Sequence, residues 1–189
     1  FDSDDFIDLL RRPRKNNNRL EIVYTGTIYR PYQDPSPFFE ALSQLIKQGY
    51  ITKKDVHITF AGNQADVSDL AQQHNIIDSY TFAGFLPRNK ALEMQYDADI
   101  VLFLEFEKQG VEGVLTGKLF EYLFIAREIW GIGCSNTTEP GSLIEKSNSG
   151  IAFGKDIEKI KAYIMKRINN KSFFENKKNY NIIHNYERK

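Results

Sequence analysis

The sequence has almost no cysteine, carries no net charge and contains no long apolar run, and each shortage excludes a class of protein. The single Cys134 excludes an intrachain disulfide framework and a multi-cysteine metal site. Lys plus Arg equals Asp plus Glu at 25 each, so the overall positive charge expected of a nucleic-acid or anionic-membrane binder is missing. The longest apolar runs, Ile100–Leu104 and Tyr122–Ala126, are too short to span a bilayer, and no signal peptide is visible.

Metal-binding and acid–base residues are few and scattered. Three histidines are present: His57, His74 and His184. Their spacing does not suit a metal ion, so we expect no metal and no other cofactor. On its predicted strand His57 suits a covered position better than a general base, and His74 suits the carboxyl end of a helix, whose dipole favours a cation. Three acidic residues after an apolar run form either an acid–base pair or a solvated acidic loop: Glu105, Glu107 and Glu112.

Short apolar segments alternate along the chain with amphipathic segments of helical periodicity. The predicted strands are Leu20–Thr25, Val56–Ala61, Tyr80–Ala83, Ile100–Leu104, Glu128–Ile132 and Gly150–Phe153. The predicted helices are Phe6–Leu10, Ser36 to Gly49, Val67–His74, Asn89–Gln95, Thr116–Ala126, Pro140–Ser147 and Asp156–Ile168, with Ser36 and Asn89 as caps. Such alternation indicates βαβ units with helices on both faces. The sequence therefore predicts an α/β fold, a Rossmann-like doubly wound parallel sheet of about six strands.

The composition divides the chain into three parts. Residues 1–19 are polar and include a basic cluster, Arg11–Lys15, that is most simply solvated. Residues 20–168 contain the alternating strands and helices, and residues 169–189 form a polar tail. Because the chain begins at Phe1 rather than at Met, we expect it to be a piece of a longer protein.

Glycine follows three of the predicted strands directly: Gly26, Gly62 and Gly84. Glycine permits either a sharp turn or the close approach of a ligand. In open α/β sheets ligands bind beyond the carboxyl ends of the strands. The three glycines therefore mark either one edge of a binding site or simply three tight turns.

The segment before the fifth predicted strand can bind an anion. Gly113–Leu119 is one residue short of a P-loop and lacks the Ser or Thr of that motif. Thr116 is a helix cap, and Gly117 and Lys118 lie in the first turn, where free N–H groups and the helix dipole favour negative charge. Glu121 is three residues beyond Lys118, so it either accepts the hydroxyls of a ribose or forms a surface pair with Lys118.

This segment also resembles a family signature. Thr116–Leu123, Thr-Gly-Lys-Leu-Phe-Glu-Tyr-Leu, is similar to the Pro/Thr-x-Lys-Leu-Phe-Glu-Tyr-Leu sequence of bacterial B-type, two-domain retaining glycosyltransferases. These are the group-1, family 4-like enzymes of polysaccharide and lipopolysaccharide assembly. Further segments resemble the family in order and spacing: Phe1–Phe6, Tyr24–Tyr29, Phe60–Gly62, Phe82–Pro87, Ala98–Leu102 and Gly141–Ile151.

The resemblance implies a role for each matching residue. Glu121 would hold the ribose hydroxyls of a nucleotide-sugar donor and Lys118 its diphosphate, with Gly26 and Thr27 facing the diphosphate. Backbone amides of Gly113–Thr116 would support the phosphates. Gly117, the next residue, would also be a donor-binding position. The remaining donor-binding positions would read the base through their main chain: Gly84, Phe85 and Leu86.

The sequence departs from the family pattern at three places. The family often has a glutamate eight positions before the ribose glutamate, and Gly113 stands there, with Glu112 beside it as a substitute. Thr27 replaces a basic residue after the first strand, and Arg30 is the candidate to compensate. The usual Gly-Lys-Pro before the fifth strand is Ala126–Glu128. Nucleotide binding is therefore the firmer expectation, and the identity of the sugar stays open.

The resemblance implies the donor-binding half of a retaining glycosyltransferase that acts on a polysaccharide, lipopolysaccharide or similar acceptor. An N-terminal acceptor domain of the same protein would be its partner, the tail would cross back to that domain, and this chain alone would be inactive. The expected location is cytoplasmic, or peripheral at the inner membrane face through the other domain. Two alternatives stay open: a sugar-nucleotide epimerase, for which no acid–base set is located, and a non-catalytic α/β binding module.

Overall fold

A computed structural model describes residues 4–13, 15–63, 65–110, 113–125, 127–170, 179 and 182–183 of the chain. Its centre is a parallel sheet of six strands in the order β3-β2-β1-β4-β5-β6. The strands are β1 Leu20–Thr25, β2 Val56–Ala61, β3 Tyr80–Gly84, β4 Ile100–Leu104, β5 Glu128–Ile132 and β6 Gly150–Gly154. This arrangement confirms the predicted Rossmann-like fold, and four of the six strands have the predicted bounds.

Helices cover both faces of the sheet. They are α1 Asp4–Arg11, α2 Ser36–Lys47, α3 Ala65–Gln73, α4 Arg88–Asp97, α5 Gly117–Phe124, α6 Glu139–Lys146 and α7 Ile157–Asn169. Buried residues of α2, α3 and α7 form one cluster with the sheet, and those of α5 and α6 form another on the opposite face. On that second face α1 packs against α4 around Phe6, Leu92 and Tyr96.

The central strand β4 is buried along its whole length, as its unbroken apolar sequence predicts. Successive side chains of a strand point to opposite faces. Accordingly, Ile100, Leu102 and Leu104 enter the core beneath α2 and α7, and Val101 and Phe103 enter the core beneath α5 and α6. The β4 strand thus fixes the sheet between two helical layers.

Two of the predicted helix caps are wrong. Ser36 is the first residue of α2 rather than its cap, and both its hydroxyl and its N–H donate to Asp34 Oδ1. Asn89 lies inside α4, which begins at Arg88 after Pro87, and its Oδ1 accepts from the N–H of Lys90 at 2.9 Å. A short 3₁₀ helix, residues 77–79, was not predicted.

Within the described parts of the chain, no helix is both long and apolar enough to cross a bilayer. The predicted tail, residues 169–189, lies mostly outside the described residues. Of that tail, Ile183 is buried in the same cluster as α5 and α6.

Candidate functional site

A crevice opens at the carboxyl edge of the sheet, between β1 and β4. The chain turns to opposite sides of the sheet at this point, which is where open α/β sheets bind ligands. The ladder between the two strands joins only Ile22 to Ile100 and Val23 to Val101. Beyond that pairing lies a cavity of about 570 Å³, and its lining includes Thr27, Tyr29, Phe103, Phe106, Thr116 and Lys118.

The three glycines predicted to mark this edge lie in one row. The N–H of Gly26 donates to the Ala61 carbonyl at 2.7 Å, and the N–H of Gly62 donates to the Gly84 carbonyl at 2.8 Å. Gly62 has a φ of +134°, and a Cβ atom there would lie 2.1 Å from the Gly26 carbonyl oxygen. A side chain at residue 62 is therefore excluded on two grounds, by backbone conformation and by space.

Lys118 is held over the end of β1. Its helix, α5, begins at Gly117, and the Thr116 hydroxyl accepts from the N–H of Leu119, so the predicted cap is confirmed. A Cβ atom at Gly26 would lie 2.4 Å from Lys118 Cε and 2.9 Å from Nζ, so the bare glycine makes room for the lysine. Lys118 Nζ donates to Thr25 Oγ1 at 3.3 Å and lies 5.6 Å from the centre of the Tyr122 ring.

The ammonium group of Lys118 is poorly compensated. Burial lowers the pKa of Lys118 below its ordinary value, Glu121 raises it in part, and Arg88 lowers it further. Its described hydrogen-bond partner, Thr25, is a neutral hydroxyl. A half-buried cation at a helix N-terminus, compensated only in part by a carboxylate, favours an incoming anion.

Glu121 lies one turn further along α5 and pairs with a residue that the sequence did not single out. Its Oε1 accepts from Arg88 Nη1 at 2.5 Å, and the Glu121 side chain is 16% exposed against 53% for Arg88. The surface pair of Lys118 with Glu121, considered from the sequence, is therefore replaced by this Arg88–Glu121 pair. Arg88 directly follows the predicted loop that ends at Pro87, and this position was the signal in the sequence that could have identified it as a site residue.

Three buried polar side chains join the end of β1 to the helices that carry the site. The Tyr122 hydroxyl accepts from the N–H of Thr25 at 3.2 Å, and Gln95 Nε2 donates to Thr25 Oγ1 at 2.8 Å. Burial raises the pKa of Tyr122 to about 12, although both hydrogen bonds with Thr25 act in the opposite direction. Tyr122 thus remains a neutral phenol, and β1, α4 and α5 meet at Thr25.

Other predicted residues are distributed around this centre. Thr27 lines the cavity together with Lys118, and Arg30 pairs with Asp34 at 3.0 Å in the free protein. Phe85 is 86% exposed, and Leu86 lines a separate groove on the α4 side of the sheet. Gly84, with a φ of +68°, ends β3 in the glycine row.

The loop between β4 and α5 is described only in part. Glu112 lies outside the described residues. Gly113 has a φ of +71°, and a Cβ atom there would lie 3.5 Å from Glu139 Cβ at the start of α6. The acidic residues at the start of the loop are not a solvated cluster, because Glu105 is buried and accepts from the Thr138 hydroxyl at 3.1 Å, while Glu107 pairs with Lys155 at 2.6 Å.

The two described histidines, His57 and His74, lie away from the crevice. The His57 ring lies on the sheet face, where Nε2 is 3.1 Å from Thr81 Oγ1, and burial together with the nearby Arg19 lowers the pKa of His57. His74 lies 3.2 Å from a carboxylate oxygen of Glu40, a closer partner than the predicted helix dipole. His184 is outside the described residues. The part of the chain that is described contains no cluster of His, Cys, Asp and Glu that could hold a metal ion.

The fold and the crevice together define a Rossmann-like α/β domain with an anion-accepting edge at its topological switch point. No protein-family model and no curated protein matches the sequence. Solved structures match the fold. The C-terminal domain of LpcC, a glycosyl transferase group 1 family protein from Francisella tularensis, aligns with 98% of this chain and 97% of its own length, at 16% identity and a TM-score of 0.64.

Two longer structures contain the same fold. S. aureus TarM, solved as a mutant in complex with fondaparinux, α-GlcNAc-glycerol and UDP, matches 93% of this chain at 16% identity and a TM-score of 0.66. A Listeria monocytogenes protein assigned as a UDP-N-acetylglucosamine 2-epimerase matches 84% of it at 13% identity and a TM-score of 0.56. This chain spans 35% of TarM and 39% of the Listeria protein. It therefore has the fold of the C-terminal domain of a group 1 glycosyl transferase and corresponds to one part of the longer proteins.

Proposed function

We propose that this chain is the donor-binding half of a glycosyltransferase and that a nucleoside-diphosphate sugar occupies the crevice between β1 and β4. The observation that carries the proposal is the position of Lys118. A half-buried ammonium group lies over bare backbone at Gly26, in the first turn of α5, and donates to a neutral hydroxyl. Glu121 compensates that charge only in part, and a diphosphate would complete the compensation.

The parts of the donor follow from that point. The diphosphate contacts Lys118 and the free N–H groups at the start of α5, with Gly26 on the other side. Glu121, one turn deeper, accepts the two ribose hydroxyls, and in the free protein Arg88 takes one of its carboxylate oxygens. The base lies toward the end of β3, beside the main chain of Gly84–Leu86, of which the Gly84 carbonyl already accepts from the N–H of Gly62. This assignment needs no metal, because Lys118 and a helix N-terminus balance the diphosphate charge.

Transfer itself needs more than this chain. The acceptor would bind a second domain, N-terminal to this one in the whole protein, and the reacting sugar would lie between the two. We expect retention of configuration, as in the family that the signature resembles, and little or no transfer by the 189 residues alone. A cytoplasmic location, where nucleotide sugars are made, is part of the same proposal.

The test is calorimetric titration of the chain with UDP and with GDP, repeated on Glu121→Gln. The substitution keeps the shape of the side chain, removes its charge and turns one acceptor into a donor. Affinity should fall by about 1–3 kcal/mol, the range for a charge-assisted hydrogen bond left unmade. The free energy of unfolding without ligand should change by less than about 1 kcal/mol, because the Arg88 partner is half exposed.

Two controls sharpen this experiment. Glu158→Gln on α7 removes an exposed carboxylate, 78% exposed, from a different helix and should leave both affinities unchanged. A 2′-deoxy nucleotide should bind the wild type weakly, and its affinity should be the same for Glu121→Gln. Absence of binding to either nucleoside diphosphate would favour a non-catalytic module, and a sharp loss of apo stability in Glu121→Gln would make Glu121 a structural residue.

The epimerase alternative rests on the likeness to the Listeria structure. An epimerase needs acid and base groups at the sugar, and the described carboxylates after β4 are already engaged, Glu105 by Thr138 and Glu107 by Lys155. Transfer is therefore the better-supported reaction. Incubation with UDP-N-acetylglucosamine followed by chromatography of the sugar separates the two, since only an epimerase returns a changed sugar without an acceptor.

A further inference from the structure

The cavity beside Lys118 is built mainly from apolar and aromatic groups. Its lining includes Tyr24, Tyr29, Phe103, Phe106 and Val114, and its volume is about 570 Å³. Val114 is 38% exposed and Tyr29 59% exposed, so both present open apolar surface to it. Phe106 is held at the wall by ring contacts with Tyr29 and Tyr32, whose centroids lie 6.4 and 5.1 Å away. The cavity therefore has an aromatic wall.

The polar side-chain atoms of Gln33 and Tyr24 at this cavity are engaged within the protein. Gln33 donates to the Leu104 carbonyl at 2.9 Å and accepts from the N–H of Tyr29 at 3.1 Å. The Tyr24 hydroxyl donates to the Thr27 carbonyl at 3.1 Å. Among the described lining residues the charged one is Lys118, and none is a carboxylate. A ligand group with many hydroxyls would lose its hydrogen bonds to water here and regain few.

Lys118 connects this cavity to the donor. It lines the cavity at one end and reaches Gly26 and Thr25 at the other, so a diphosphate on its ammonium group places the next group of the ligand at the cavity mouth. In a nucleoside-diphosphate sugar that group is the sugar. Resting on the proposed function, we infer that this cavity selects donors whose sugar carries a methyl-bearing substituent, an acetamido or a 6-deoxy group, over fully hydroxylated hexoses.

The effect expected is modest and measurable. One buried methyl group corresponds to about a fourfold gain in affinity. Two matched pairs of donors test it by calorimetry: UDP-N-acetylglucosamine against UDP-glucose, and GDP-6-deoxymannose against GDP-mannose, with the pair chosen by whichever nucleoside diphosphate binds. In the bound pair, the methyl-bearing donor should bind about fourfold tighter or better.

Variants connect that preference to the cavity. Val114→Thr keeps the volume and adds a hydroxyl, and it should remove most of the preference for the methyl-bearing donor. Ile77→Thr is its matched control, a 42% exposed residue before β3 at the other edge of the sheet, and should keep the preference. Phe106→Ala should also abolish the preference, with a melting curve to verify that the variant is folded.

The outcomes separate the two proposals. If UDP or GDP binds but the plain hexose donor binds as well as its methyl-bearing counterpart, this inference is wrong and the donor-binding function stands. If Val114→Thr weakens the nucleoside diphosphate and its sugar donors equally, residue 114 acts through the loop and not on the sugar, which also overturns the inference. If neither nucleoside diphosphate nor any donor binds, the proposed function fails and this inference fails with it.

Discussion

Replacement of Lys118 by methionine separates a binding residue from a structural one, because the two roles predict opposite effects. Methionine keeps most of the aliphatic stem and its packing over Gly26 but removes the charge. In the free protein the described contacts of the charge are a hydrogen bond to a neutral hydroxyl, 3.3 Å long, and a ring 5.6 Å away, and Glu121 compensates the charge in part. Such a bond contributes about 0.5–1.5 kcal/mol and an exposed cation–π contact about 0.5–1 kcal/mol.

Those contributions oppose the cost of burying the ammonium group, which is large enough to lower the pKa of Lys118. The two act in opposite directions, so we expect the free energy of unfolding of Lys118→Met to lie within about 1 kcal/mol of the wild type, above or below it. Bound to a diphosphate, the same ammonium makes charge-assisted bonds that contribute about 1.5–3 kcal/mol. The dissociation constant for UDP or GDP should therefore rise tenfold to about a hundredfold.

Calorimetry measures the affinity, and chemical denaturation of the ligand-free chain measures the stability. Lys54→Met is the matched control, an exposed lysine in the turn before β2 at the opposite edge of the sheet, and should change neither quantity. Nucleoside affinity should be far less affected than nucleoside-diphosphate affinity. If Lys118→Met destabilised the free protein by several kcal/mol while binding was preserved, the ammonium would serve the fold and the diphosphate assignment would be refuted.

Three further predictions follow from the same contacts. The pKa of Lys118 is lowered below 10.5, so the ammonium loses its proton, and diphosphate affinity should fall, as pH rises through that lowered pKa. The stability of the ligand-free chain changes in the opposite sense, because the contribution of this group is lost as pH falls through the same pKa. A pH series of about 7 to 10 should give a flatter affinity profile in Lys118→Met than in the wild type. Gly26 has a φ of +120°, and a Cβ atom there would lie 2.4 Å from Lys118 Cε, so Gly26→Ala should weaken diphosphate binding and destabilise the chain by about 1–3 kcal/mol. In the Lys118→Met background the same substitution should weaken binding little further, and additive binding losses would show that Gly26 acts independently. Glu128→Gln should cost about 3–5 kcal/mol of stability, because Arg167, 2.7 Å away and 6% exposed, is left as a buried charge, and a loss under about 1 kcal/mol in denaturant unfolding would contradict this.

The bounds of the strands were predictable to within a residue because a buried strand has a local run of apolar residues. β4 is apolar at every position, and β5 pairs with it along its whole length. The glycine row was predictable for a related reason, since a glycine directly after an apolar run marks a turn at the strand end. The first turn of α5 was predictable from Thr116 alone, because a cap bonds to an N–H three residues away.

Partners distant in sequence were not predictable. Arg88 meets Glu121 across 33 residues, and Gln95 meets Thr25 across 70, so the spacing within each segment carries no sign of the contact. The predicted cap of α2 was wrong because a neighbouring residue accepts hydrogen bonds from the serine. Asp34 bonds to Ser36 and so takes the part expected of the serine. Arg30 was considered as a substitute cation, but Asp34, four residues away, holds it in an ion pair.

The buried contacts of Thr25 have a consequence for how such a domain can be altered. The end of β1 is fastened to α5 by Tyr122 and to α4 by Gln95, beneath the loops and out of contact with solvent. The positions of α4 and α5 relative to β1, and with them those of Lys118 and Glu121, are therefore set by buried contacts and not by the loops above. Substitutions at Tyr29 or Val114 can change what the crevice accepts without moving its frame, which makes the loops the place to reprogramme selectivity and Thr25 the residue to leave untouched.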